Sequence, residues 1–299
     1  AIHPILCACG GMWIAHGAGN TDKKFVNSKD KLGIPPKDIH YILKRVWLTK
    51  EEEEGYYYGF ANEGLWPLCH ITHTRPMFRE SDWQMYKKVN QKFADSVLTE
   101  LPSRNPFVFI QDYHFMLLAG MVKEKRPDAK IALFWHIPWP NPEVFSTCPY
   151  QKQILEGMLA CDLIGFHVQS HCNNFLETAN KLLESRIDTE KFSVVRSGKE
   201  TLVKAFPISV DCDISGNITK VESEQIDKIR GEFELEGKIV ALGVDRIDYT
   251  KGIPERFRAI ERFLEKYPEF VGEFTFVELG APSRIHIKRY RDVMTEIEE

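Results

Sequence analysis

The sequence predicts an α/β protein in which mainly parallel sheets form two domains. Short apolar runs alternate along the chain with longer stretches of helical period, a pattern typical of strands joined by crossover helices. Several of the apolar runs lack polar alternation, as expected where helices cover both faces of a sheet. A chain of 299 residues is also long enough for two domains.

Seven apolar runs are predicted to be strands, and helical patterns lie between them. The predicted strands lie at 41–47, 106–110, 130–135, 163–168, 202–210, 238–244 and 274–279. The helical patterns lie at 115–125, 150–160, 170–183, 221–235 and 254–266. Thr49 with Glu52 predicts a capping box at the start of one further helix. Ser81 with Gln84 predicts a second capping box, which opens a long amphipathic helix to about residue 101.

A change in composition predicts where the two domains meet. The segment 221–237 is polar, charged and helical, and a new buried strand begins at Lys238. We therefore place the boundary near 215–237, with a first domain over 1–225 and the start of a second over 226–299. The chain opens in the tail of a helix and closes on an uncapped helical pattern. We expect a piece of a larger protein, without the opening strand of the first domain and the later part of the second.

Composition excludes several classes of function. The formal net charge is −4, from 39 Lys and Arg against 43 Asp and Glu, so no basic excess points to nucleic acid or an anionic membrane. The longest strongly apolar stretch, 115–122, is far shorter than the ~20 residues that span a bilayer. Seven scattered cysteines predict reduced thiols rather than a disulfide framework, and hence a cytoplasmic protein.

Polar residues that directly follow predicted strands form a candidate site. In doubly wound sheets, ligands bind beyond the carboxyl ends of the strands. Asp112 and His136 occupy such positions in the first domain, where a carboxylate accepts hydrogen bonds from sugar hydroxyls or acts as a base. Arg246, Lys251 and Arg284 occupy them in the second, and such cations bind phosphate. Together they predict an enzyme that binds a phosphorylated or nucleotide-linked substrate between two domains.

These residues also have structural interpretations. Asp112 could cap a following helix, His136 could hydrogen-bond within its loop, and the cations of the second domain could pair with the aspartates beside them. The Asp-Cys-Asp sequence at 211–213 resembles a metal-binding DxD motif, but we favour helix capping because the cations already neutralise a diphosphate. His167 and His171 are spaced four residues apart without the glutamate of a zinc-binding HExxH motif, so no metal site is predicted.

The segment 56–67, YYYGFANEGLWP, is the densest aromatic stretch of the chain. One interpretation is a packed core helix and turn. The other is a wall of a sugar-phosphate site, in which aromatic faces stack on pyranose rings and tyrosine hydroxyls donate to phosphate. Chemistry alone leaves both interpretations open.

Five motifs in order resemble the trehalose-6-phosphate synthase family, the retaining GT-B glycosyltransferases of family 20. They are YYYGFANEGLWP, FIQDYHFMLLAG, FWHIPWPNPEVF, FPISVD and GVDRIDYTKGIPERFRAIERFLEKYP. The resemblance runs through nearly all of the chain. It implies a GT-B fold, with two Rossmann-like parallel-sheet domains facing a cleft and the second only partly present.

The resemblance also implies an activity. Glucose would pass from a nucleotide diphosphate glucose, usually UDP-glucose, to glucose 6-phosphate, giving α,α-trehalose 6-phosphate with retained configuration and no metal or other cofactor. A donor phosphate oxygen would take the acceptor proton during front-face attack. The partners would be these small molecules, with no nucleic acid or membrane, and a homo-oligomer is left open. The alternatives are a glucosylglycerol-phosphate synthase that uses glycerol 3-phosphate, and a non-catalytic domain that senses sugar phosphate.

Four residues are expected to carry the catalysis by the same resemblance. His136 would contact the donor glucose, and Arg246 and Lys251 would hold the donor diphosphate and stabilise its departure. Asp112 would contact hydroxyls of the acceptor glucose. The first three are thus donor-binding residues. The presence of Arg246, Lys251 and Asp112 argues against the sensing domain.

The resemblance assigns three further residues to the phosphate of the acceptor. Tyr57, Trp66 and Arg284 would bind the 6-phosphate. By the same resemblance His16 would lie in the acceptor site, at a position where many family members have tryptophan. The FPISVD motif carries Ser209 and Val210 in place of the residues usual in the family.

Overall fold

The computed structural model describes residues 2–72, 74–209 and 223–299 of the chain. The chain divides into two compact units, Ala1–Ile208 and Ser209–Glu299. The boundary that the sequence predicts near 215–237 lies partly on residues outside the described ranges, and it stays a prediction. The DxD sequence at 211–213 and Val210 lie outside them as well.

The described residues form strands β1–β11 and helices α1–α12. The strands are β1 Met12–His16, β2 Lys31–Ile34, β3 Tyr41–Val46, β4 Phe107–Gln111, β5 Lys130–Phe134, β6 Leu163–Phe166, β7 Arg186–Asp188, β8 Ser193–Arg196, β9 Lys199–Ala205, β10 Ile239–Ile247 and β11 Phe274–Pro282. The helices are α1 Ile2–Cys9, α2 Gly19–Phe25, α3 Lys50–Glu53, α4 Trp66–Cys69, α5 Glu80–Glu100, α6 Leu118–Lys125, α7 Pro142–Phe145, α8 Gln151–Met158, α9 Gln169–Leu182, α10 Ser223–Glu232, α11 Ile253–Lys266 and α12 Lys288–Glu298. A π-helical segment covers Glu54–Leu65, and 3₁₀ turns cover Tyr113–Phe115 and Pro268–Phe270.

The larger sheet of the first unit confirms the predicted parallel core. Its strand order is β4-β5-β6-β9-β8-β7, and the first four strands pair in parallel. The strands β7 and β8 extend it in antiparallel pairing, which the sequence analysis did not predict. They are short and carry charged residues instead of an apolar run, so nothing in their local pattern marks them as strands.

A smaller sheet has the order β1-β3-β2, with β1 parallel and β2 antiparallel to β3. Of its strands, the sequence predicts only β3. Strands β1 and β4 belong to different sheets, and both line a cavity of about 1060 Å³ in the first unit. Phe107 and Phe109 of β4 are 65% and 48% exposed, so this outer strand of the larger sheet presents apolar side chains.

One of the two predicted capping boxes is confirmed and the other is wrong. The Thr49 side chain accepts from Glu52 N, and the Glu52 carboxylate accepts from Thr49 N, at the start of α3. Helix α5 instead begins at Glu80, and its N-cap Arg79 makes no side-chain cap bond. The Gln84 side chain bonds to Glu80 rather than closing a box, because the helix starts too early for Ser81 to act as a cap.

The aromatic stretch packs against α5, as the core interpretation predicts. Phe60 and Tyr86 are fully buried, with ring centroids 4.5 Å apart. Gly59 permits this approach, since a Cβ added there would lie 2.5 Å from the carboxylate of Asp82. The predicted helix and turn take the form of the π-helical segment followed by α4.

The second unit is a parallel β10–β11 pair with α11 and α12. Ile247, Ile253 and Val293 form its buried core. Other apolar side chains of β10 are exposed, Leu242 by 63% and Val244 by 66%. Within the residues that the structure describes, none of the helices combines the length and apolar character needed to cross a membrane.

Candidate active site

Asp112 ties together the ends of two neighbouring strands. It follows β4, and its Oδ1 accepts hydrogen bonds from the backbone N–H groups of Tyr113 at 2.9 Å and His136 at 3.2 Å. Its own N–H donates to the carbonyl of Phe134 at 2.7 Å. Its backbone has φ 69° and ψ 179°, a conformation that costs a non-glycine residue roughly 1–3 kcal/mol. Such strain, held by surrounding hydrogen bonds, is typical of functional positions.

His136 is exposed at the end of β5 while its flanking residues are buried. Its Nε2 lies 2.9 Å from Oε1 of Gln111. Its ring also meets Phe134 edge to face, and the ring centroid lies 5.7 Å from that of His167. Partial loss of hydration, and then the neighbouring His167, lower the pKa of His136. The lowered pKa favours the neutral form of the imidazole.

The loop that presents His136 is anchored by two tryptophans. Trp135 and Trp139 are buried, and their rings meet at 4.9 Å. The indole N–H of Trp135 donates to the carbonyl of Pro138 at 3.3 Å, and that of Trp139 donates to Thr178 of α9 at 3.1 Å. Because these anchors lie on both sides of His136, its backbone has little freedom to move. The sequence offered two interpretations of His136, a hydrogen bond within its loop or contact with a ligand. The structure is compatible with both.

Tyr57 and Trp66 lie against the residues that follow Asp112. Tyr57 is half-buried and stacks on His114, with ring centroids 5.5 Å apart and planes 14° apart. Trp66 is only 7% exposed and lies 6.1 Å from the ring of Tyr113. Trp66 therefore fits the packing interpretation of the aromatic stretch, while Tyr57 has a face toward the cavity that it helps to line.

His16 lies at the end of β1 and lines the same cavity as Tyr57 and Gln111. Its Nδ1 lies 3.2 Å from the carbonyl of Val46, and its own carbonyl accepts from Arg45 Nη1 at 3.0 Å. The structure thus brings His16 and Tyr57 to one cavity. Gln111, which the sequence analysis did not single out, joins them there.

The second unit presents two cations near the start of α11. Lys251 lies in the turn between β10 and α11, but Arg246, which the sequence predicts just after the strand, lies within it because β10 continues to Ile247. Arg246 and Lys251 are both exposed. The buried Asp248 shapes this turn, because its Oδ1 accepts from the N–H and hydroxyl of Thr250, each at 3.0 Å. Gly252 follows with φ 65° and is the N-cap of α11. An exposed cation beside a helix N-terminus, as Lys251 is, forms an arrangement that attracts phosphate.

Arg284 lies in the same unit, but its side chain is only 6% exposed. Its guanidinium donates to the hydroxyl of Tyr290 at 2.6 Å and lies 3.6 Å from the carboxylate of Asp248. Asp245, the other aspartate beside the predicted cations, pairs with Arg256 at 2.8 Å. Sequence reasoning missed Arg256 and Tyr290 as partners, because neither adjoins a strand end.

The predicted site residues divide between the units. The first unit holds His16, Tyr57, Trp66, Asp112 and His136, and the second holds Arg246, Lys251 and Arg284. In the described ranges, no group of three or more His, Cys, Asp or Glu side chains is placed to hold a metal ion. The roles assigned to the site residues stay predictions.

Comparisons with known proteins agree with the resemblance in the sequence. The family model for glycosyltransferase family 20 matches residues 6–299. The alpha,alpha-trehalose-phosphate synthase [UDP-forming] A of Dictyostelium discoideum is 36% identical over 96% of this chain, which covers 38% of that protein. The Schizosaccharomyces pombe alpha,alpha-trehalose-phosphate synthase [UDP-forming] is 36% identical over 85% of this chain and 50% of its own length.

A solved structure described as trehalose-6-phosphate from E. coli bound with UDP-2-fluoro glucose aligns with a TM-score of 0.87 and 28% identity. That alignment covers 99% of this chain and 64% of the solved one. The chain thus spans between about two fifths and two thirds of the proteins it matches. The likeness supports the predicted GT-B class, with the second Rossmann-like unit only partly present. This chain belongs to glycosyltransferase family 20.

Proposed function

We propose that the protein containing this chain transfers glucose from UDP-glucose to glucose 6-phosphate, forming α,α-trehalose 6-phosphate with retained configuration. The observation that carries the proposal is the pair of exposed cations formed by Arg246, near the end of β10, and Lys251, in the turn into α11. A diphosphate bound there would gain negative charge as the glycosidic bond breaks. Fixed cations stabilise that charge more in the transition state than in the ground state.

The first unit supplies groups suited to sugar hydroxyls. Asp112 Oδ1 accepts two backbone hydrogen bonds, and an ionised carboxylate, which only accepts, is suited to the hydroxyl donors of a sugar. The neutral ring of His136 is suited to a hydroxyl of the donor glucose. In front-face attack, an oxygen of the leaving phosphate takes the acceptor proton, so the reaction needs neither a protein nucleophile nor a metal ion.

Names and ligands of similar proteins support the substrates. The curated relatives quoted above are described as UDP-forming trehalose-phosphate synthases, and the E. coli structure holds UDP-2-fluoro glucose. Six described cysteines are free thiols. Burial raises the pKa of the Cys148 thiol to about 12, which leaves that thiol unreactive. Reduced thiols support the proposal of a cytoplasmic protein.

The test measures nucleotide diphosphate release by the full-length protein, with UDP-glucose as donor and three parallel acceptor conditions. We expect release with glucose 6-phosphate and none with glycerol 3-phosphate or without acceptor. Release only with glycerol 3-phosphate would keep the donor site and make the protein a glucosylglycerol-phosphate synthase. No release with UDP-glucose or ADP-glucose would favour a sugar-phosphate-sensing domain. EDTA should leave the rate unchanged. A complete loss of activity with EDTA would instead indicate a metal-binding role for Asp211 and Asp213.

A further inference from the structure

Gln111, the last residue of β4, has an amide whose orientation its two contacts determine. Its Nε2 donates to the carbonyl of Ile110 at 3.4 Å, and its Oε1 lies 2.9 Å from Nε2 of His136. A carbonyl oxygen only accepts, so the NH₂ group must face Ile110. The amide oxygen then faces His136 and needs a donor. Nε2 of His136 therefore carries the ring hydrogen.

This hydrogen bond determines what the other ring nitrogen can do. A neutral imidazole holds one hydrogen, so with Nε2 protonated Nδ1 is an acceptor. The lowered pKa of His136 agrees with a neutral ring. Within the described ranges, no hydrogen bond reaches Nδ1. The titratable groups that face the residue are His167, at a ring distance of 5.7 Å, and Asp112, which binds its backbone N–H.

We propose that Gln111 is a positioning residue for glycosyl transfer, which holds His136 in the Nε2–H tautomer so that Nδ1 accepts a hydrogen bond from a hexose hydroxyl. The proposal deepens the proposed function and rests on it. Two other contacts also hold His136, one through its backbone and one through its ring. Its N–H is bound by Asp112, and its ring packs edge to face on Phe134 at 4.7 Å. Gln111 alone among these partners selects the tautomer.

The alternative is that Gln111 only fills space at the end of β4, where it also lines the cavity. Two substitutions separate these possibilities. Gln111→Met keeps the length of the side chain but removes the acceptor. Gln111→Glu keeps an acceptor and adds a negative charge, which raises the pKa of a neighbouring imidazole. Gln91→Met is the matched control, since Gln91 donates to Asp95 at 2.8 Å on exposed α5 positions.

The experiment uses the full-length protein labelled with ¹⁵N-histidine, and reads the tautomer of His136 from its two ring nitrogen shifts. We expect Nε2–H in the unsubstituted protein and in Gln91→Met, and a mixture of both tautomers in Gln111→Met. Because one positioned hydrogen bond is lost, kcat/KM for the donor should fall about tenfold in Gln111→Met. Gln111→Glu should lose activity at pH 6.5, because the added charge raises the pKa of His136 and protonates its ring. Activity should return at pH 8.5, where the ring is neutral again.

Two results would overturn the proposal. One is an Nδ1–H tautomer in the unsubstituted protein, and the other is Gln111→Met with unchanged tautomer and unchanged kcat/KM. Should Gln111→Met unfold, Gln111→Asn takes its place, since it keeps an amide that is too short to reach the ring. An Nε2–H ring in a protein that releases no UDP would contradict the proposed function instead, because the tautomer is measured without turnover.

Discussion

The Oδ1 of Asp112 accepts a hydrogen bond from the backbone N–H of His136 at 3.2 Å, across 24 residues of sequence. The two residues follow adjacent parallel strands, β4 and β5. The same carboxylate oxygen binds the N–H of Tyr113. Asp112 therefore joins two strand ends, and we propose that it also binds hydroxyls of the acceptor. Substitutions can separate these two tasks.

Asp112→Asn should lower turnover while leaving the fold in place. The amide oxygen can still accept from Tyr113 and His136, but the charge that we propose to bind sugar hydroxyls is gone. Hydrogen bonds to charged groups contribute about 1.5–3 kcal/mol, so kcat/KM should fall by about 10- to 100-fold. Thermal unfolding and steady-state kinetics of the full-length protein check both parts.

Asp128→Asn is the control for that experiment, because Asp128 is an exposed partner of Arg126. Asp128→Asn should shift the melting temperature by no more than a few degrees and should leave kcat/KM unchanged. Unchanged kinetics in Asp112→Asn would remove Asp112 from the acceptor site and leave it only its structural task.

Arg246→Ala and Lys251→Ala should each lower kcat in the full-length protein by about two to three orders of magnitude. The reason is the loss of a fixed cation beside a departing diphosphate, and single electrostatic donors of this kind contribute 10²–10³ in rate. Arg262→Ala serves as the control, since its side chain is 75% exposed and pairs with Glu265 one turn away. Near-normal kcat in both variants would contradict the donor-site assignment.

Arg284→Ala should have two effects with different causes. It leaves the buried Asp248 without its cation at 3.6 Å, and breaking a buried pair in this way costs about 3–5 kcal/mol of unfolding free energy. If Arg284 also binds the acceptor phosphate, the KM for glucose 6-phosphate rises by about 10- to 100-fold.

The double variant Arg284→Ala with Asp248→Asn separates the two effects. Neutralising Asp248 removes the unpaired buried charge, so much of the stability should return while the raised KM remains. Chemical denaturation and acceptor titrations measure these quantities. A KM that stays at the unsubstituted value in the double variant would limit Arg284 to its contacts within the second unit.

The stability of the first unit should depend on pH through Glu52. Burial raises the pKa of this carboxyl, but hydrogen bonds from Lys92, Thr49 and Lys88 outweigh it and lower the pKa to about 2. A depressed carboxyl pKa stabilises the fold above the unfolded value of 4.5. That stabilisation, up to about 3 kcal/mol, is lost as the pH falls from about 4.5 toward 2.

Glu52→Gln should therefore lower the free energy of unfolding by a constant amount above pH 5, and the difference from the unsubstituted protein should shrink below pH 4.5. Urea unfolding curves at several pH values measure it. The control Glu54→Gln changes a side chain that is 60% exposed and 3.6 Å from Lys50, where an effect within about 0.5 kcal/mol is expected. A pH-independent difference for Glu52→Gln would contradict the lowered pKa.

Much of the parallel core could be predicted because its signals are local. The runs that become β4 and β5 are apolar, and a polar residue comes within two positions of the end of each strand, so Asp112 and His136 stand out in the sequence. The antiparallel strands β7 and β8 have no such run. They are strands because β8 pairs with the outer edge of β9, and β7 in turn pairs with β8, which is a property of the folded sheet.

The sequence by itself determined the fold class, the family and the residue types that follow each strand, since periodicity and motifs depend only on neighbouring positions. Only the tertiary structure decided which of those residues meet. It joined Asp112 to His136, turned the amide of Gln111 toward the imidazole, and placed Arg284 on Asp248. The residues in these three contacts lie 24, 25 and 36 positions apart in the sequence. Their geometry depends on strand order and packing, which no local pattern encodes.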